Sequence, residues 1–341
     1  MPNSLSSIHS NRYRVGVIGG GAWGTALAVL ANRAGSLVTL ATRNLNVIQT
    51  IQERRINDIY LPSVFIDPAI ELSDKLSDTC RGDVLIIAVP SHQVRAVCIA
   101  ISDSIDKSVP IIVASKGIER GSLMLMSEVV EAILPHNIVG ILSGPNFADE
   151  AAQGLPAATT IASQDQALAD LMIYALGGRM FRPYLSDDIV GTQIGGVVKN
   201  VIAIACGIAI GKNLGENARA ALVTRGFTEM ARLAEAKGGK YETLMGLSGL
   251  GDLILTAGSP KSRNMSFGMA IGQGKSKDDI LASRGRMATE GVIAAESVSK
   301  LAKKMSVAMP ICEAVYRILY ENASVDRMIA ELMERPFVSE I

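Results

Sequence analysis

Histidine is scarce in this sequence, and cysteine is sparse and unpaired. Only three of the 341 residues are histidine. His9 lies in a polar leading stretch and His136 sits beside Pro135 in a turn, so neither has the setting of a catalyst, and a histidine-built metal centre is not expected. The four cysteines, Cys80, Cys98, Cys206 and Cys312, are scattered with no C-x-x-C pair. Buried free thiols in a reducing compartment follow, rather than disulfides or zinc. Charge bias is absent too. Thirty-three basic and 33 acidic residues give a net charge of zero, so no nucleic-acid surface and no anionic membrane is indicated as partner. The opening MPNSLSSIHSNRY has no apolar core of a secretion signal, which predicts a short tail, residues 1–12, on a cytoplasmic protein. Internal repeats and low-complexity segments are missing.

What the chain does have is apolar mass. Hydrophobic residues make up 48% and charged residues 19%, enough for a large core and for two domains. Arg14–Ile18 reads as a buried strand, and it runs into Gly19-Gly20-Gly21-Ala22-Trp23-Gly24 and a helix over Thr25–Ala34. This is G-x-G-x-x-G in the strand–turn–helix setting that gives it meaning. Gly19 makes the turn, Gly21 lets a pyrophosphate approach the backbone, and Gly24 lets helix pack on strand. The helix N-terminus adds free N–H groups and a positive dipole end. A second strand, Leu37–Ala41, ends in Thr42-Arg43-Asn44. An NAD-specific site would carry an acid there, ~20 residues past the turn. Arg43 suits a 2′-phosphate instead, so NADP(H) is expected at least as readily as NAD(H).

Alternation continues through strands 83–89, 111–114 and 138–142, with helices 94–101 and 125–134 between them. Short strands 158–161 and 180–185 flank a helix over 164–175. Ligands of doubly wound sheets bind outside the carboxyl ends of the strands. The turns there are 90–92, 115–117 and 143–146, which makes Lys116 a candidate. After Asp188 only helical periodicity remains, over 190–212, 217–237, 262–272, 291–303, 311–321 and 325–334. The predicted architecture is therefore α/β: a Rossmann-type dinucleotide-binding domain over 13–189, then an all-helical domain over 190–341 that supplies substrate binding and catalysis.

The first of those helices, GTQIGGVVKNVIAIACGIAI over 191–210, is apolar or small apart from Lys199 and Asn200 in its middle. The uncharged run after the pair falls short of the ~18 residues of a membrane span, so a core helix is expected. Lysine is almost never fully buried unless it is paired or used. Either Lys199 snorkels to the surface on its stem, or it is placed for chemistry. Two loops of the helical half add polar groups: Gly246–Asp252, glycine-rich and ending in an acid, and Ser259–Asn264, ahead of a helix. Ser262 reads as an N-cap. Arg263 beside Asn264 at a helix start makes a good anion site. Met287–Gly291 is a further polar turn.

In this order the motifs resemble the NAD(P)-dependent glycerol-3-phosphate dehydrogenases of the bacterial type, from Val15 onward. The matching segments are GGGAWGTALA (19–28), AVPSH (88–92), SKG (115–117), SGPNFADE (143–150), GGVVKNVIAIACG (195–207), GLSGLGDL (246–253), SRN (262–264) and TEGV (289–292). The resemblance implies a helical domain like that of 6-phosphogluconate dehydrogenase, a homodimer, and reversible reduction of dihydroxyacetone phosphate to sn-glycerol 3-phosphate for glycerophospholipid synthesis. It implies Lys199 as proton donor and acceptor. Lys116, Gly144, Asn146, Asp252, Ser262, Arg263 and Asn264 would surround the substrate. Ala22, Trp23, Arg43, Lys116, Ala148, Arg263, Ala288 and Glu290 would line the dinucleotide. Asn146 stands where many members have Thr or Ser, and Ala22 where Ser is frequent. No metal is implied.

Residue chemistry points the same way. Hydride transfer to a ketone creates an alkoxide, which needs a proton donor and a positive field. A desolvated lysine has a lowered pKa and exchanges its proton near neutral pH. In that chemistry Lys199 donates, Asp252 orients its ammonium and Asn200 holds a substrate hydroxyl. Two alternatives compete. A β-hydroxyacid or 6-phosphogluconate-type dehydrogenase also uses a helix lysine, but carries its Asn about one helical turn later, where this chain has Ala203 or Ile204. A non-catalytic NADPH-sensing regulator would need the nucleotide site but not Lys199, Asp252 and Arg263 together.

Overall fold

The computed structural model describes residues 12–284 and 290–336. The chain opens with β1 (Arg14–Ile18), α1 (Ala22–Arg33), β2 (Leu37–Ala41), α2 (Leu45–Arg54) and β3 (Glu71–Ser73). It continues through β4 (Val84–Ile87), α3 (Val94–Ile101), β5 (Ile111–Val113), α4 (Met126–Glu131), β6 (Val139–Ser143) and α5 (Ala148–Gln153). The last strands are β7 (Ala157–Ala162) and β8 (Phe181–Ser186), with α6 (Gln166–Leu176) between them. These strands form one sheet in the order β3-β2-β1-β4-β5-β6-β7-β8. Every neighbouring pair is parallel except β6 with β7. The reversal between β2–β1 and β1–β4 leaves a crevice at the carboxyl end of β1, the switch point of a Rossmann-type sheet.

The strands read as nearly continuous apolar runs because both faces are covered. Val17, Leu40, Ile86, Ile87, Ile111 and Ile112 are fully buried, each contributing roughly 1.5–3 kcal/mol through the burial of its side chain. Three elements had no expectation in the sequence: β3, α2 and the six-residue α5. β3 is too short to show a period, and α2 buries only Val47 and Ile51. Helix α1 begins at Ala22 rather than Thr25, so Ala22, Trp23 and Gly24 form its first turn.

From α7 onward the described residues are helical: α7 (Ile189–Gly211), α8 (Gly215–Ala236), α9 (Tyr241–Leu244), α10 (Asp252–Gly258) and α11 (Arg263–Gly272), then α12 (Lys277–Arg284), α13 (Glu290–Lys304), α14 (Pro310–Tyr320) and α15 (Val325–Met333). Helices α9, α10 and α12 were not anticipated. α7 is the one described helix with the length and composition of a membrane span. Its most apolar stretch is 89% buried, however, and it forms the axis of the helical half, with α8, α10, α11, α13 and α14 packed around it. A helix apolar on all sides is stable only when buried on all sides.

Glycine sets the closest of these contacts. A Cβ at Gly207 would strike the Met265 carbonyl oxygen, and one at Gly268 the Ile204 carbonyl oxygen. The backbones of α7 and α11 therefore cross near contact, which brings the N-terminus of α11 toward the middle of α7. On the far side, the buried Glu229 carboxylate of α8 accepts the N–H groups of Ile311 (2.7 Å) and Cys312 (3.1 Å), capping α14. All four cysteines are buried free thiols.

Candidate active site

The glycine turn shows what each of its glycines does. A Cβ at Gly24 would overlap the Gly19 carbonyl oxygen, whereas one at Gly21 would meet no protein atom within 4 Å. Gly24 therefore serves packing, and the space beside Gly21 lies open above the N-terminus of α1. That N-terminus has no side-chain cap and no acid in its first turn. Uncapped N–H groups beside an open backbone fit the pyrophosphate of a dinucleotide. Ala22 and Trp23 are partly exposed in this first turn, and α5, headed by Ala148, packs against α1. Arg43 is exposed at the end of β2 and donates to Gln93 Oε1 at 2.8 Å.

Lys116 follows β5, and its ammonium reaches into the helical half. It contacts Asp252 Oδ2 at 2.6 Å and the Gly144 carbonyl oxygen at 3.3 Å. The other oxygen of Asp252 takes Lys199 Nζ at 2.6 Å. One carboxylate, only 1% exposed, thus holds two ammonium groups. Lys199 also donates to Thr256 Oγ1 at 2.8 Å. Thr256 escaped the sequence reading, although it lies one helical turn after Asp252, the one position in α10 where a hydroxyl shares the face of the acid.

Lys199 does not snorkel; it is 8% exposed. The pKa of its ammonium is lowered from 10.5 to about 8: burial is the largest cause, Lys116 adds to it, and Asp252 and the charge of Glu290 at the head of α13 oppose it. Its neighbour Asn200 is fixed by Asn264, whose Nδ2 donates to Asn200 Oδ1 at 2.8 Å. Asn264 Oδ1 in turn accepts the Gly291 N–H at 2.9 Å. Ser262 caps α11 by accepting the Met265 N–H at 3.2 Å, so its hydroxyl is engaged in the fold. Arg263 follows it, exposed, in the first turn. Asn146 donates to the Ala158 carbonyl at 3.0 Å. Asn146 Oδ1 and Ser143 Oγ are buried with no hydrogen-bond partner within the protein. Such atoms call for an outside partner. Ala288 lies outside the described residues.

The arrangement has two parts. Open backbone N–H groups stand at the switch point of the sheet. A buried lysine, its pKa lowered to about 8, stands across the junction on a carboxylate that a second lysine shares. A Rossmann sheet joined in this way to a helical domain with a buried, carboxylate-paired lysine defines the class of two-domain, dinucleotide-dependent dehydrogenases.

Comparison with known proteins narrows the class. The model for the NAD-dependent glycerol-3-phosphate dehydrogenase N-terminus matches residues 14–169, and the model for the C-terminus of the same enzymes matches residues 188–330. The chain belongs to this family. It is 48% identical over 326 residues to the glycerol-3-phosphate dehydrogenase [NAD(P)+] of Maricaulis maris, covering 96% of this chain and 98% of that one. It is 46% identical over 327 residues to that of Caulobacter vibrioides, with the same coverage of both chains. The crystal structure of glycerol-3-phosphate dehydrogenase from Coxiella burnetii superposes with a TM-score of 0.91 at 38% identity, covering 95% of this chain and 99% of that one. Membership of the family sets aside the hydroxyacid and 6-phosphogluconate-type alternative.

Proposed function

We propose that this protein reduces dihydroxyacetone phosphate to sn-glycerol 3-phosphate, reversibly, with NADPH or NADH, and that Lys199 carries the proton. The observation that bears most weight is the Lys199–Asp252–Lys116 cluster: a buried lysine held at 2.6 Å from a carboxylate that a second lysine shares. The cofactor, when bound, supplies the hydride and takes it back. The chain's own residues do the rest. Lys199 gives its proton to the substrate oxygen as charge develops there. Asp252 keeps the ammonium aimed, and with Thr256 it limits the positions Nζ can take. Lys116 adds positive field where negative charge grows. In oxidation the neutral amine accepts the proton.

The anionic end of the substrate falls to Arg263 and the N–H groups of α11, a planar fork beside a helix N-terminus. Asn200 holds a hydroxyl, its carboxamide already oriented by Asn264. Gly144 and Asn146 complete the enclosure. On the nucleotide side, Gly19, Gly21, Ala22, Trp23 and Gly24 receive the pyrophosphate, and Arg43 leaves Gln93 for a 2′-phosphate. Ala148 and Glu290 border the same space. The product would feed glycerophospholipid synthesis.

A cytoplasmic location fits the buried free thiols. A homodimer fits the exposed apolar side chains of the helical half, among them Leu214, Tyr241, Met245 and Ile254. Sedimentation analysis decides the second point. The activity is tested by following NADPH and NADH oxidation with dihydroxyacetone phosphate. Nucleotide binding without turnover of this ketone would leave a sensor rather than an enzyme.

A further inference from the structure

Asn57 belongs to no helix or strand. It follows α2, just after Arg55 has turned the chain through a positive φ of 57°. Its side chain is nevertheless fully buried and completely used. Nδ2 donates to the Gly20 carbonyl oxygen and to Thr25 Oγ1, both at 2.9 Å. Oδ1 accepts the Tyr60 N–H at 3.2 Å. The Asn57 carbonyl accepts the Leu61 N–H at 2.8 Å. Rotating the amide by half a turn would set Oδ1 against the Gly20 oxygen and Nδ2 against the Tyr60 N–H, so the orientation is determined.

Those two acceptors bracket the open N-terminus of α1. Gly20 lies just before it and Thr25 just after its first turn. The Gly20–Gly21 peptide is trans, so its C=O and N–H point opposite ways. Holding the Gly20 oxygen toward Asn57 turns the Gly21 N–H away from Asn57. Three successive glycines give a turn with little preference of its own, and a site that must be ordered on binding loses affinity. The glycines allow the approach of a phosphate; they do not hold the peptides in place for it.

We propose that Asn57 is a positioning residue for the dinucleotide, fixing the glycine turn in its anion-accepting form through Gly20 and Thr25. This rests on the reading that a dinucleotide occupies that turn. Substitution Asn57→Asp keeps the shape but replaces the donor by oxygen. It should raise the dissociation constant for NADPH, read by fluorescence titration, about tenfold or more, as expected for losing buried hydrogen bonds. Adenosine 2′-phosphate, which lacks the pyrophosphate, should bind within about twofold of wild type, and so should the KM for dihydroxyacetone phosphate at saturating NADPH, the small change usual away from an affected contact. A merely structural role would lower the melting temperature and leave this split unseen.

In the wild-type protein, NADPH should slow hydrogen exchange over 57–61 together with 19–25, a measurement that holds even if the variant does not fold. Unchanged NADPH affinity in folded Asn57→Asp overturns the proposal. So does equal loss for adenosine 2′-phosphate, or exchange over 57–61 that ignores the nucleotide. Wild-type protein that binds neither NADPH nor NADH would instead overturn the dinucleotide reading itself.

Discussion

Backbone faces side chains across the junction of this molecule. The sheet half offers Gly19, Gly21 and the bare N-terminus of α1, groups whose value lies in what they lack. The helical half offers Lys199, Asp252, Thr256 and Asn200, all buried, each with named partners. Binding an invariant pyrophosphate needs shape and fixed dipoles, which backbone supplies at low cost in sequence. Moving a proton needs a titratable group with a tuned environment, which only converging side chains supply. Changes at Lys199, Asp252, Thr256 or Asn200 should therefore alter turnover and spare nucleotide affinity, and changes in the glycine turn or at Arg43 should do the opposite.

The largest effect belongs to Lys199→Ala. Turnover of dihydroxyacetone phosphate should fall about 10²–10⁴-fold, the usual worth of a positioned proton donor, while the NADPH dissociation constant stays near wild type. Lys199→Arg should rescue little, since guanidinium keeps its proton at working pH. A folded mutant that binds NADPH and retains more than about a tenth of the wild-type kcat, above the range for losing a general acid, would falsify the role of Lys199.

Next comes Arg43→Ala. Losing a charged hydrogen bond to a 2′-phosphate should weaken NADPH by about 1.5–3 kcal/mol and leave NADH untouched. Equal weakening of both would place Arg43 in the fold, where it now holds Gln93. Gly21→Ala probes the same half with no charge involved. Gly21 has φ −76° and a Cβ there meets no protein atom, so the substitution should not lower the melting temperature. NADPH affinity should nevertheless fall about tenfold, ~1.4 kcal/mol. Retained affinity would mean that the open space is not where the cofactor lies.

How much of this the sequence disclosed follows the same division. The glycine turn is local: one strand, one turn and one helix within a short window, so its spacing alone exposed it. Lys199 and Asn200 were visible as an anomaly, polar residues inside an apolar helix. Asp252, by contrast, became significant only through a resemblance, because its bonds to Lys116 and Lys199 span 136 and 53 residues. Thr256 was hidden by an ordinary-looking helix, LILTAG, that carries no mark of what its face touches. Asn57 acts on a glycine 37 residues earlier, and no local pattern records that. The short β3 and the mostly exposed α2 had too little periodicity to be seen.

The smallest effect is also the most discriminating, because it changes the tuning of Lys199 without removing it. Thr256 Oγ1 accepts from Lys199 Nζ at 2.8 Å, a bond that favours the charged ammonium. Burial holds that ammonium at about 8, below its ordinary 10.5. In the proposed mechanism reduction uses the protonated lysine, so wild-type kcat/KM for ketone reduction should fall as pH rises through about 8, and kcat/KM for glycerol 3-phosphate oxidation should rise over the same range. Folding follows the sign of the shift. Between about 8 and 10.5 the unfolded chain keeps the lysine proton and the native state does not. Stability from this group therefore grows as pH rises through that window and is least below it. Replacing Thr256 with Val removes an acceptor worth about 0.5–1.5 kcal/mol, which corresponds to a downward shift of up to about one pH unit. The limb of the reduction profile should move to lower pH by that much, with kcat/KM on its acid side nearly preserved and NADPH affinity unchanged. A limb that stays in place while kcat/KM drops at every pH would show Thr256 touching substrate rather than tuning the lysine.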